Sequence, residues 1–431
     1  MNDVGGIRMN KVLIDMLIKQ AEEAQKAGDY RKENNACKKL YNLYKRKLGR
    51  KNKYTINILE NLAISYDNLG VYNKSLELLK EVYVIRKEIL GENHLDTIST
   101  LCNLAVSYSN LGYYSKALEV NKKIYILRKK ILGEKHPDTL TSLSNLAISY
   151  SDLGDYNKAL EMKNAVYNAR KEILGEKHPD TLSSLGNLAN SYSDLGYYSK
   201  ALEIENKVYN ARREIQGEKH PDTLSSLVNL ANSYSDLGYY SKAHKLQNIV
   251  YNSRKNNLGE NHPDTLSALE NLAVSYSDLG DYSKALELQN TVYNAFKGLL
   301  GKNHPDTLTS LNNLALTYSN LGDYTTALEM RNTVYNARRE ILGEKHPNTL
   351  SALNNLANSY SDLGDYNKAL EMRNVVYNTR KEILGENHPG TLKSLNNLAN
   401  SYSDLGDYSK ARELQNIVYN SRKKKPRGES S

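Results

Sequence analysis

Between Thr181 and Asp222 the polar and apolar positions trace two helices. Leu182, Leu185, Leu188, Tyr192 and Leu195 fall three or four residues apart, with Ala189 beside Leu188 and polar residues in the intervals. At 3.6 residues per turn, this spacing gathers the apolar side chains into one stripe. Tyr198, Ala201, Leu202, Ile204, Val208, Tyr209 and Ile215 carry a second stripe over a longer helix. Pro179 breaks the chain ahead of the first helix, and Asp180-Thr181 is expected to supply a side-chain oxygen for its orphan amides. Gly196 ends that helix, and Gly217 is expected to stop the second in a left-handed conformation. Arg212 and Arg213 suit the negative end of the second helix dipole.

The same 42 residues return in phase from Thr55, at Thr97, Thr139, Thr181, Thr223, Thr265, Thr307, Thr349 and Thr391, giving nine units without insertion. Two antiparallel helices cannot bury their stripes against each other alone, so successive hairpins must stack and share a core. Alanine at the Ala189 position recurs in every unit, and at the Ala201 position in every unit but the first, where Ser75 stands. Larger side chains there would hold the helices further apart than the roughly 8–10 Å of close packing. Three rows of tyrosine, represented by Tyr192, Tyr198 and Tyr209, account for 27 of the 34 tyrosines, and Tyr113, Tyr197 and Tyr239 begin a fourth. Rows on or beside the apolar stripes read as packing rather than as a platform for bases. The pattern predicts an all-α solenoid of about ten hairpins. Residues 1–9 form an N-terminal extension, 10–54 a degenerate capping hairpin, 55–422 the nine units, and 423–431 a basic tail expected to be disordered.

The string NLANSYSDLGYYSKAL, Asn187 to Leu202, resembles the tetratricopeptide signature: a small residue after leucine, tyrosine three further on, then Gly, Tyr and Ala at set offsets. A 42-residue unit with the connector LGEKHPDT, Leu174 to Thr181, is similar to the sub-type of kinesin light chains and nephrocystin-like repeat proteins. The resemblance implies a right-handed superhelix that acts as an adaptor, holding peptide segments of partner proteins along a concave face lined by the first helices. On that match the groove positions of this unit are Ser183, Gly186, Asn190, Ser193 and Asp194. The central one drifts along the chain, as Ile64, Val106, Ile148, Asn190, Asn232, Val274, Leu316, Asn358 and Asn400. Asparagine can bond both the donor and the acceptor of an extended backbone, so Asn190 with Asn232, and Asn358 with Asn400, form candidate clamps. Asn312, Asn354 and Asn396 join them as groove candidates; the plainer reading makes all of these solvated polar residues. A light-chain-like cargo adaptor in a motor complex is the narrower expectation. Against it stand the lack of a heptad segment ahead of the repeats and a groove mostly neutral or acidic, with Lys393 an exception.

Composition changes this picture little. With 39% hydrophobic and 25% charged residues the chain is too apolar for disorder. No run is long enough to span a bilayer and no signal-peptide core opens the sequence, so the expected address is cytoplasmic, without membrane insertion. The formal charge of +9 admits nucleic acid as a weaker alternative partner, but it is spread thinly. Its densest run, Arg422 to Arg427, reads as a solvated end or a nuclear-import-like patch. The last helix, with no hairpin behind it, is expected to expose Ala411, Leu414 and Val418, a surface for self-association. Cys37 and Cys102 are too few for a disulfide framework or a tetrahedral metal site. His-Pro-Asp at His136, His178, His220, His262 and His304 matches the J-domain signature, yet it recurs in phase with the helix-breaking connector. Side chains in like rows do not converge on one pocket, so no catalytic residue, metal site or cofactor is expected.

Overall fold

The computed structural model describes residues 11–423. The extension expected at 1–9 lies outside them, as does the basic tail expected at 423–431 apart from Lys423, which ends the last helix. Among the described residues there are twenty helices in sequence and no strand. The first two, Lys11–Lys26 and Tyr30–Leu48, precede the nine regular units. In the representative unit the helices are Pro179–Asp194 and Tyr198–Gln216, of 16 and 19 residues.

Contacts divide the chain into two compact bodies. One comprises the residues up to Leu279 together with Asn294–Pro305; the other comprises Gly280–Tyr293 and the residues from Asp306 on. Within each body, helix packs on helix in chain order. In the first, Ala189, Ala201, Ile204 and Val208 form one buried cluster with Leu185 and Tyr192 against it. Ala189 and Ala201 are 1% and 2% exposed, so neither site has room for a larger side chain. In the second body Leu395, Leu398, Ala399, Leu414 and Val418 form the corresponding cluster.

Several local expectations need correction. The helix cap is histidine, not Asp180-Thr181. Because Pro179 takes the first helical position, the residue with capping geometry is His178, and its Nδ1 accepts the Asp180 N–H at 3.1 Å. His94, His136, His220, His262, His346 and His388 repeat the arrangement. Thr181 falls inside the first turn, fully buried, its hydroxyl without a hydrogen-bond partner. Gly217 has the positive φ expected, +86°, but ψ is 166°, so the chain leaves the helix extended instead of curling into a left-handed cap. Ile215 is 46% exposed and does not belong to the buried stripe. The second helix is longer than the first, and its last turn overhangs. Ala411, Leu414 and Val418, expected to be exposed, are buried against the preceding helix. The open face of Tyr408–Lys423 carries Tyr408, Arg412, Gln415 and Tyr419 instead.

Arg212 does more than face a dipole. Its Nη1 donates to the Asp222 carbonyl at 3.0 Å and the Ser226 hydroxyl at 2.9 Å, both in the next unit, while Nη2 donates to Ser183 at 2.9 Å in its own. Arg380 makes the same three bonds, to Gly390, Ser394 and Ser351. The planar guanidinium thus ties three helix segments together, a task a point-like ammonium cannot do.

The first body also closes on itself. His262 Nε2 lies 3.1 Å from the Lys26 carbonyl and His304 Nε2 3.0 Å from the Asn68 carbonyl. Since His262 Nδ1 accepts the Asp264 N–H, the ring proton sits on Nε2 and is free to donate. Gly28 and Gly70 lie directly under Pro263 and Pro305, where a Cβ would strike the proline rings. Arg31 Nη2 donates to the Leu300 carbonyl at 3.1 Å, and Tyr30 stacks on His304.

Candidate functional site

Along the middle of the first helices runs the row that drifts in sequence. Its members stay in contact with solvent: Val106 is 53% exposed, Ile148 45% and Leu316 50%, and Asn190, Asn232 and Asn400 are exposed as well. The residues on either side of Asn190, Ala189 and Ser191, are buried at 1%. Apolar side chains held open to water between buried neighbours are the feature of this surface that packing does not explain.

The candidate asparagines are not equivalent. Asn358 is half-buried, and its Oδ1 accepts from Arg373 Nη2 at 2.9 Å. Asn312 and Asn354 are half-buried acceptors for Asn355 and Asn397, each at 2.9 Å. Asn396 is half-buried at the same position of its unit. The donors belong to a row that the apolar periodicity does not single out: asparagine stands immediately before the Leu188 position in all nine units, from Asn61 to Asn397. In Asn103, which donates to Glu60 at 3.1 Å, and in the two bonds above, this row links one first helix to the one before it. Its invariance was the visible signal. Ser183, a groove position by resemblance, is spent on Arg212.

Sequence reasoning also missed a buried row on the second helices. Four residues beyond Ala201, and so on the same helical face, stand Leu79, Asn121, Lys163, Glu205, Gln247, Gln289, Arg331 and Arg373. All are buried. Asn121, Lys163, Arg331 and Arg373 each donate to a serine on the first helix of the following unit, Ser149, Ser191, Ser359 and Ser401, at 2.6–2.8 Å. Burial pulls the Lys163 ammonium below its ordinary value, with Asp194 and Asp152 opposing. Arg331 and Arg373 reach Asp362 and Asp404 at 3.7 and 3.8 Å. Glu205 has no such partner: it is 1% exposed, both carboxylate oxygens lack a hydrogen bond, and burial pushes its carboxyl up to about 7, with Arg212 opposing.

The tyrosine rings are occupied by the chain's own cations. Lys200 lies over Tyr192 at 4.3 Å and Arg213 over Tyr209 at 5.6 Å, and several other units repeat both pairings. Among the described residues no His, Cys, Asp and Glu side chains cluster to hold a metal ion, and no helix is long and apolar enough to cross a membrane.

Family models of the tetratricopeptide repeat match residues 54–125, 111–172, 152–214, 247–298, 264–330 and 306–382, and a second such model matches 223–264 and 391–415. The chain belongs to the tetratricopeptide repeat family. No curated protein sequence matches it. Among solved structures, one described as a putative kinesin light chain from Podosopora anserina with nearly identical TPR-like repeats is 28% identical. The match covers 48% of this chain and 97% of that one at a TM-score of 0.42. BtubC (BKLC) from P. vanneervenii is 19% identical over 55% of this chain and 94% of its own, at a TM-score of 0.39. The likeness to the kinesin-light-chain sub-type thus recurs among solved structures. A Rap protein complexed with competence and sporulation factor is 14% identical but covers 86% of this tetratricopeptide chain and 98% of its own at a TM-score of 0.56, a likeness of fold. As a tetratricopeptide protein, the chain is of a type that binds other proteins or peptides.

Proposed function

We propose that this tetratricopeptide protein is a cytoplasmic scaffold that holds extended peptide segments of its partners against the first helices. The observation carrying this reading is the drifting central row, whose apolar members stay exposed while the rows around it are buried. Open hydrophobic side chains gain about 25 cal/mol per Å² when covered, and a peptide laid along the row would cover them. Exposed Asn190 and Asn232 lie next along the row from Val106 and Ile148 and would bond its backbone. Asn358, already engaged by Arg373, would have to exchange that bond to act as a clamp.

Affinity capture of partners on the parent chain, then on a variant with Asn190 and Asn232 changed to Ala, tests the clamp. Partner binding should fall about tenfold, corresponding to the net worth of one to two hydrogen bonds. Undiminished binding would remove the asparagines from the proposal. Cargo adaptation in a motor complex is a narrower form of the same role, and co-sedimentation with microtubules, with and without motor, decides it.

A further inference from the structure

We propose that Glu205, at the floor of a notch left by Gly186, accepts a cationic side chain, lysine or arginine, of the peptide held in the groove. This deepens the scaffold reading and rests on it. Gly186 is the one glycine in its row; the other units carry Glu60, Cys102, Ser144, Val228, Glu270, Asn312, Asn354 and Asn396 there. The atom nearest to where its Cβ would stand is Glu205 Oε1, at 4.0 Å, so the carboxylate faces the missing side chain. Where glutamate occupies the Gly186 position itself, at Glu60, it pairs with Arg86 at 2.7 Å. Glu205 has no equivalent, because Arg212 spends its donors on Asp222, Ser226 and Ser183.

A carboxylate 1% exposed with two unsatisfied oxygens is costly to bury, and a donor reaching it would recover that cost. The rim carries the same sign. Asp194, Asp236 and Asp278 are exposed along these hairpins. The buried row, which supplies Lys163 before them, offers only Glu205 and Gln247 here. Ser193 donates to Asp236 at 3.0 Å, a neutral partner that leaves its charge in place. Burial raises the Asp194 and Asp278 carboxyls, as expected of acids short of cations. An ammonium or guanidinium entering the notch meets the one buried acceptor that nothing in the chain satisfies on this stretch.

Selection of displayed random dodecapeptides on the full chain tests this. Selected peptides are expected to contain lysine or arginine. Affinity should fall at least tenfold when that residue is replaced by norleucine or citrulline. It should fall equally on Glu205→Gln and on Gly186→Val, the residue already found at position 228. Helical content by circular dichroism reports whether each variant folds; should Gly186→Val not, citrulline exchange and Glu205→Gln decide. Peptides that bind without a cation, or are indifferent to Glu205→Gln, overturn the proposal and leave the groove reading standing. Selection that yields no peptide, or only peptides that ignore Asn190→Ala, Asn232→Ala and Val106→Ser, overturns both.

Discussion

Glu205 illustrates how much one side chain in a repeated frame can differ from its equivalents. Along its row the same buried slot holds Asn121, Lys163 and Arg331, each bonded to a serine, and then an acid with no donor. Its carboxyl is raised to about 7 by burial, so between roughly pH 4.5 and 7 the folded chain holds a proton that the unfolded chain has released. The stability contribution is therefore complete at the acid end and is lost as pH rises through 7. Glu205→Gln should leave thermal stability near pH 4.5 unchanged and raise it at pH 8 by roughly 3 kcal/mol, at about 1.4 kcal/mol for each tenfold change in proton affinity. Equal stability of parent and variant at pH 8 would show that the carboxylate is already satisfied. The connector histidines make the opposite point: a residue that looks chemical in sequence is capping a helix.

At the scale of the element, the hairpin is held by its alanines and its arginine. The alanine rows set how close the helices come, and the Arg212 row determines how one unit is tied to the next. Replacing Arg212 by lysine keeps the charge but cannot reach the Asp222 carbonyl, Ser226 and Ser183 together. Arg212→Lys should cost about 1–3 kcal/mol. In an array coupled by nearest neighbours, that loss should appear as faster amide exchange in Pro179–Asp194 and Pro221–Asp236, with the hairpin at Lys53–Leu90 unaffected. Unchanged protection in both helices would show that the strap is dispensable. Arginine spacing from the glycine stop was legible from the sequence. Its partners were not, because they lie 10 to 29 residues away on helices whose relative rotation only packing sets.

At the scale of the molecule, the first body meets itself where Gly28 and Gly70 receive Pro263 and Pro305. Gly70→Val would place a branched side chain against Pro305 and open the contact. Gly91→Val is the control, since Gly91 has a comparable φ, +88° against +72°, with nothing within 4 Å of its Cβ position. Spin labels at Lys26 and Asn261 should report a short separation in the parent and in Gly91→Val, and a longer one in Gly70→Val. A short distance in all three would show that the contact tolerates the side chain. Two consecutive connector histidines bond carbonyls 236 residues away, at Lys26 and Asn68, so the closure keeps the register of the repeat.

The hairpin, its 42-residue period, the helix breaks and the alanine contacts could all be read from the chain, because each follows from local periodicity and side-chain size repeated nine times. Repetition even separated rows that hold from rows that drift. It did not reveal which drifting row faces water. The central first-helix row is open and the Glu205 row is closed, although both vary, and only the stacking of one hairpin on the next decides that. The same stacking buries Ala411, Leu414 and Val418 and leaves Glu205 facing the missing side chain of Gly186. Burial and charge compensation depend on neighbours far apart in the chain, and a local pattern carries no record of them.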